Sequence, residues 1–214
     1  NYGASQASGD YIMCVHQDVD LCFPAFLEES ERMLKSIADL GVAGVAGAVK
    51  STILSKLISN IKHGFPPKQV SPHKLTKPTQ AQTVDECLMF VPKNVFSEVQ
   101  FDDLTCPHWH LYGVDLCLSL KLRGFDTYVL PLEIYHRSMP AGVKNLTQII
   151  KNGGVIPKEY HSTLRDVLKK HRSDYKKIYT TCGIWHTSIN WMMLDRFTRL
   201  ILDILGHFKR LILR

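Results

Sequence analysis

The chain has 214 residues, 45% of them hydrophobic and 21% charged, and 26 Lys and Arg against 20 Asp and Glu give a formal net charge of +6. That size and balance exclude a disordered chain, a collagen-like repeat and a small disulfide scaffold, and they suffice for a domain with a sizeable core. The charge is uneven, a net of +7 over residues 158–214 and −1 over residues 1–157, which excludes a generally basic nucleic-acid binder and describes a near-neutral domain with a basic tail.

Tyr11–Val15, a short apolar run behind Gly9-Asp10, predicts a buried strand that stops at His16-Gln17-Asp18-Val19-Asp20. Pro24 then opens a helix with Glu28, Glu29 and Glu31 in its early turns and Leu27, Leu34 and Ile37 along one side, ending at Gly41. Val42–Val49 predicts a second strand, thin because Ala and Gly alternate with Val. Strand, helix and strand in that order are the unit of a parallel α/β sheet. Residues 50–82 are interrupted by Pro66, Pro67, Pro72 and Pro78, which predicts a helical stretch over Thr52–Ile61 and then a long irregular loop. Thr83–Val91 predicts a strand bearing Asp85 and Glu86, Asn94–Val99 one or two helical turns, and Tyr112–Arg123 a helix closed by Gly124. Thr127–Ile134 predicts a strand that ends at Tyr135-His136. Beyond Ala141 the pattern is helical, over 144–151, over 158–179 and in a last long helix from about Ile189. The expected fold class is therefore α/β, a mixed and mostly parallel sheet flanked by helices over 1–140, with a helical extension over 141–214.

The six cysteines form no C-x-x-C pair, and Cys14 and Cys117 sit inside apolar segments. This usage points to a reducing, cytoplasmic compartment. No apolar run approaches the roughly 18 residues of a membrane-spanning helix. Leu194, Phe197, Ile201, Leu205, Phe208 and Ile212 follow steps of three and four, with Arg196, Arg199 and Arg210 on other sides. That basic amphipathic helix suits either the inner face of an anionic membrane, with Trp191 at the interface, or packing against the domain or a second copy.

Four groups of residues can do chemistry. Ligands of open α/β sheets bind beyond the carboxyl ends of strands. There Asp18 and Asp20, two residues apart, can meet one hard cation or simply form a polar turn. His136 also follows a strand, as a cation-binding imidazole or an ordinary rim histidine. Asp115 lies in the first turn of a helix, where the dipole favours its ionised form. It can take a proton from a hydroxyl or only cap the helix. Trp109 can stack on a sugar face or fill a core gap, and Cys106, His108 and His110 have no standard zinc spacing.

In their order and spacing these pieces resemble the GT-A glycosyltransferases of the family-2 type, and more closely the StrF-like branch of the streptomycin-biosynthesis type. The matching residues are Gly9-Asp10-Tyr11-Ile12, Val15-His16-Gln17-Asp18-Val19, Gly41 to Gly47, Val84-Asp85-Glu86-Cys87-Leu88, Phe101-Asp102, Trp109 to Leu118, Gly124-Phe125, and Leu130-Pro131 through Tyr135-His136-Arg137-Ser138. The resemblance spans roughly residues 1–140. It implies a GT-A-like fold and a transferase that moves a sugar from a nucleotide-diphosphate donor to a hydroxyl of a glycan, a lipid-linked acceptor or a small molecule, with Mg2+ or Mn2+ as cofactor and with inversion. It places His16, Gln17 and Asp18 at the donor diphosphate, and Asp18, Asp20 and His136 at the metal. It places Asp115 in the segment of the catalytic base, and Asp85 and Glu86 on the acceptor side, to which a sugar-stacking Trp109 would also belong. His16 stands where the family commonly has its first Asp, and Gly113 where many relatives have the earlier of two acids. The resemblance also implies a nucleotide-binding β-α-β segment ahead of the acidic motif, so a truncated sequence is expected, one that binds nucleotide poorly alone.

Two other functions use the same residues. A GT-A-like binding or scaffold module keeps the fold without turnover, in keeping with His16 and Gly113. A metal-dependent phosphoesterase needs a second cluster of metal-binding acids, which the sequence does not offer.

Overall fold

A computed structural model describes residues 1–50, 56–137 and 158–188. Its elements begin with α1 (Tyr2–Gln6), β1 (Tyr11–Val15), β2 (Val19–Leu21), α2 (Phe26–Lys35), β3 (Leu40–Gly44) and β4 (Ala46–Val49). Four short strands follow, β5 (Lys56–Ser59), β6 (Lys62–His63), β7 (Lys68–Gln69) and β8 (Thr79–Ala81). Next come β9 (Thr83–Val84), β10 (Leu88–Pro92), α3 (Lys93–Glu98), α4 (Tyr112–Leu122), β11 (Asp126–Val129) and β12 (Ile134–His136). The last described elements are α5 (Lys158–His171), β13 (Lys177–Thr180) and β14 (Gly183–His186).

The chain divides into two units. The first holds Asn1–Asp102, Tyr112–Ser138 and Ile178–Ile184. Its main sheet has the order β1-β10-β3-β11-β8. This is the expected α/β class with helices on both faces, but the pairings differ from a mostly parallel sheet. β3 runs parallel to β11, whereas β10 is antiparallel to both β1 and β3, and β8 is antiparallel to β11. β1 and β3 do point the same way, as a strand-helix-strand unit requires; β10 returns between them.

β10 shows why the sheet is covered on both sides. Leu88 and Phe90 join Phe26 and Leu34 of α2 in one cluster, while Met89 and Val91 join Leu116, Cys117 and Leu120 of α4 in another. Successive side chains of a strand point to opposite faces, so a run without alternation is buried twice. On α2 the buried positions are Phe26, Ser30 and Leu34, four residues apart. Leu27, expected on that side, is exposed, because Phe26 already starts the stripe that meets the sheet.

The predicted strand over Val42–Val49 is two strands in two sheets. β3 stays in the main sheet, and after Val45 the chain enters a second sheet of order β5-β4-β9. Gly47 passes so close to its neighbours that a Cβ there would stand 2.6 Å from the Thr83 carbonyl oxygen and 2.6 Å from Val129 Cγ2. The helix expected over Thr52–Ile61 is, where described, the strand β5, antiparallel to β4, with the Ser59 hydroxyl donating to the Val45 carbonyl at 3.1 Å. A short apolar run suits either element, and pairing decided. The strand expected over Thr127–Ile134 breaks around Pro131, which has no N–H for a central ladder. β11 stays in the main sheet, and β12 joins a third sheet of order β2-β12-β6-β7. Asp85 and Glu86 lie in the turn between β9 and β10 rather than on a strand.

The second unit holds Asp103–Leu111, Met139–Lys177 and Trp185–Arg214. The helix expected over 158–179 ends at His171 as α5, and Lys177–Thr180 is a strand, in keeping with its Ile, Tyr and Thr. The helices expected over 144–151 and from about Ile189, and with the latter the basic tail, lie outside the described residues. Among the described residues no helix is long and apolar enough to cross a membrane, and Cys14, Cys22, Cys87 and Cys117 are free thiols.

In the first unit β9 is tied to Tyr179, where the buried Thr83 hydroxyl donates to its carbonyl at 2.7 Å and its N–H donates to Gln82 Oε1 at 2.6 Å. Loss of a buried hydrogen bond costs about 1–2 kcal/mol. Thr83→Val should lower the unfolding free energy by about that amount in a urea titration with an unchanged m-value.

Candidate metal centre

Three side chains converge where β1 and β12 end. His16 follows β1, and its N–H donates to the Cys87 carbonyl at 2.9 Å in the turn before β10. The chain then turns, with the Val19 N–H donating to the His16 carbonyl at 3.2 Å, and continues as β2. β2 lies antiparallel to β12, with Val19 opposite His136. The Arg137 N–H closes that ladder on the Asp18 carbonyl at 2.9 Å. Backbone pairing thus sets Asp18 beside His136, and Asp18 Oδ1 stands 3.3 Å from His136 Nε2.

One donor atom from each of His16, Asp18 and His136 lies within 4.8 Å of the others, and among the described residues this is the one group of three with such convergence. Donors around one octahedral ion, at metal–ligand distances of roughly 2.1 Å, stand about 3 to 4.2 Å apart. The group therefore needs only a small closure to share a cation. The donor set, two imidazoles and one carboxylate, fits a divalent ion that accepts nitrogen and oxygen. All three residues are half-buried.

Burial holds the His136 imidazole below its usual value, against the Asp18 and Asp85 carboxylates, which pull it up, and with His63 and His16 adding to the downward push. A neutral imidazole is the form that ligates metal. His63 lies beside His136 across the parallel β6–β12 pair, with ring centroids 5.2 Å apart, and is exposed.

The other expected site residues are distributed differently. Asp20 is outside the convergent group, its carboxylate 3.3 Å from Arg137 Nε with both side chains about half exposed. D-x-D spacing does not report this, since the strand β2 begins between the two acids and redirects the second. Asp20→Asn should change Mn2+ affinity less than threefold by isothermal titration, because an exposed ion pair contributes little. Gln17 is exposed in the turn. Asp85 accepts from the Cys87 N–H at 3.1 Å and from the Thr181 hydroxyl at 2.9 Å, which fixes its carboxylate. Asp115 is 2% exposed within α4. Trp109 belongs to the second unit, 74% exposed, its ring centroid 4.0 Å from that of His110.

The sequence reading set His16 against the diphosphate and did not group it with Asp18 and His136, where the structure places a ring nitrogen of it. The available signal was chemical: an imidazole two residues from an acid at a strand end offers a nitrogen donor as readily as a nucleotide contact. It also missed the relation of Glu86 to Gly113. Glu86 Oε1 accepts the Gly113 N–H at 3.2 Å at the start of α4. A Cβ on Gly113 would stand 2.8 Å from Glu86 Cγ and 2.9 Å from Met89 Sδ, so residue 113 has to be glycine for Glu86 to lie there. Burial and the neighbouring Asp85 carboxylate push the Glu86 carboxyl up to about 7, against the N–H groups of Gly113 and Val114, which pull it down.

No protein-family model matches the sequence, and no curated protein matches it. Among solved structures, the chain is similar to the crystal structure of GalNAc-T7 with UDP, GalNAc and Mn2+. The sequence identity is 13% and the TM-score 0.45, over 78% of this chain and 34% of that one. The chain thus spans about a third of that neighbour's length.

Proposed function

We propose that this protein is a metal-dependent glycosyltransferase of the GT-A type, which moves a sugar with inversion from a nucleotide-diphosphate donor to a hydroxyl of a glycan or lipid-linked acceptor. The observation that carries this is the meeting of Asp18 and His136, far apart in the sequence, with His16 as a third donor, at the ends of strands where such a ligand belongs. His16, Asp18 and His136 would hold the cation. When bound, a divalent ion supplies positive charge against the diphosphate, which gains negative charge as the sugar leaves. Two nitrogens among three donors favour Mn2+ over Mg2+, which prefers oxygen and keeps its waters.

The test is a Mn2+ titration of the full-length protein, followed by thermal unfolding with UDP or GDP in the presence and absence of Mn2+. One Mn2+ should bind per chain, and a nucleotide diphosphate should raise the melting temperature only when Mn2+ is present. No Mn2+ binding at this site would end the proposal.

A second reading, a GT-A-like binding module without turnover, is favoured by the burial of Asp115. It shares the Mn2+ and nucleotide binding and differs in releasing no sugar.

A further inference from the structure

The start of α4 lacks an acid of its own at position 113, and the structure shows what occupies the space. The Glu86 side chain reaches across from the turn between β9 and β10, and its carboxyl accepts the Gly113 N–H. The same turn adjoins the candidate metal centre, since Cys87, the next residue, accepts the His16 N–H at 2.9 Å. Asp85, the preceding residue, is near enough to act on the His136 imidazole. Glu86 is only half-buried, whereas Asp115 is 2% exposed. A group that accepts a proton from an incoming hydroxyl must be within hydrogen-bond reach of it, and of these two acids Glu86 is the more accessible.

We propose that Glu86 takes the proton from the attacking hydroxyl, filling from the β9–β10 turn the place that Gly113 leaves open at the start of α4. This rests on the transferase function proposed above. As the acceptor oxygen forms its bond to the anomeric carbon, its O–H proton passes to the Glu86 carboxylate. The bond from that carbon to the donor phosphate breaks, and its electron pair leaves with the nucleoside diphosphate. Glu86 then returns the proton to solvent.

The environment suits the task. Facing Glu86 are Asp85 and Cys87 from its own turn and Tyr112 and Cys117 from α4. Burial pushes both thiols and the phenol upward, so all three are neutral near pH 7, and of these neighbours it is Asp85 that adds to the upward push on Glu86. A carboxyl that titrates at about 7 is poised to gain and lose a proton at working pH.

The experiment uses Glu86→Gln in the full-length protein, because an amide oxygen still accepts the Gly113 N–H and preserves a purely structural role. Mn2+ binding is measured first. Release of UDP or GDP from UDP-glucose, UDP-N-acetylglucosamine and GDP-mannose, with water as acceptor, is then followed from pH 5 to 9. Wild-type release should rise through pH 7 to a plateau. Glu86→Gln should bind Mn2+ within twofold of wild type, release nucleotide at least 100-fold more slowly and lose the rise. The urea midpoint gives a readout without turnover. A carboxyl whose folded value lies above its unfolded one stabilises the fold fully below about pH 4.5, and that contribution fades as pH rises through about 7. Glu86→Gln should remove that slope.

Release by Glu86→Gln within fivefold of wild type, or an Asp115→Asn variant that alone abolishes release, would overturn the proposal. So would a wild type that binds Mn2+ and nucleotide yet releases none. Absence of Mn2+ binding by wild type would instead strike the transferase function itself.

Discussion

Replacing His136 with alanine should weaken Mn2+ binding by about 100-fold or more. Loss of a group that only orients a metal ligand already costs about 10- to 100-fold in affinity, and in the proposed site His136 would be a donor itself. Its Nε2 stands 3.3 Å from Asp18 Oδ1, and its backbone is fixed by pairing with β2 on one side and β6 on the other. The remaining pair, His16 and Asp18, lies on one turn and offers two donors. His63 is the adjacent imidazole, so a His63→Ala control shows whether a neighbouring ring substitutes. Titration calorimetry measures the loss, and the far-UV spectrum checks that the fold persists. A change of less than threefold in His136→Ala would show that the three side chains are neighbours without being a metal site.

Gly47→Ala should be strongly destabilising. Added atoms in a packed core cost roughly 1–3 kcal/mol and occasionally more. Here the new carbon would meet the Thr83 backbone oxygen at 2.6 Å, where no side-chain rotation gives relief, as well as Val129 Cγ2 at 2.6 Å. The expected loss is about 3 kcal/mol, the top of that range. For a chain of this size each kcal/mol shifts the melting temperature by about 2–4 °C, so a fall of about 6–12 °C should appear by calorimetry. Gly3→Ala, with no atom within 4 Å of the added carbon, is the matched control. A fall of under 2 °C in Gly47→Ala would mean that β4 can slide away from β9.

The strands that border the candidate metal centre were legible because their apolar runs end abruptly in polar residues. Tyr11–Val15 is a strand with the expected bounds, and the histidine after Ile134-Tyr135 lies at the expected strand end. What escaped was partnership. Val42–Val49 reads as one apolar stretch, and nothing in its residues reveals that Val45 carries the chain from one sheet into another. Lys56–Ser59 is helical in pattern only until β4 lies beside it. Ile178 to Thr180 continues a helical spacing but belongs to a strand. The site followed the same division. Asp18 and His136 stood out by their positions in the chain, whereas the pairing of Asp20 with Arg137 and the reach of Glu86 over Gly113 depend on side-chain directions that only the folded backbone sets.

The candidate donors are rooted in different sheets. His16 hangs from the end of β1 and is tied through its amide to the loop that starts β10, both in the main sheet, while His136 sits on β12 in another. An ion gripped by both would act as a rivet between two sheets. Hydrogen exchange at the amides of Val19 and Arg137, beside that joint, should slow when Mn2+ is added, even though neither amide touches the ion.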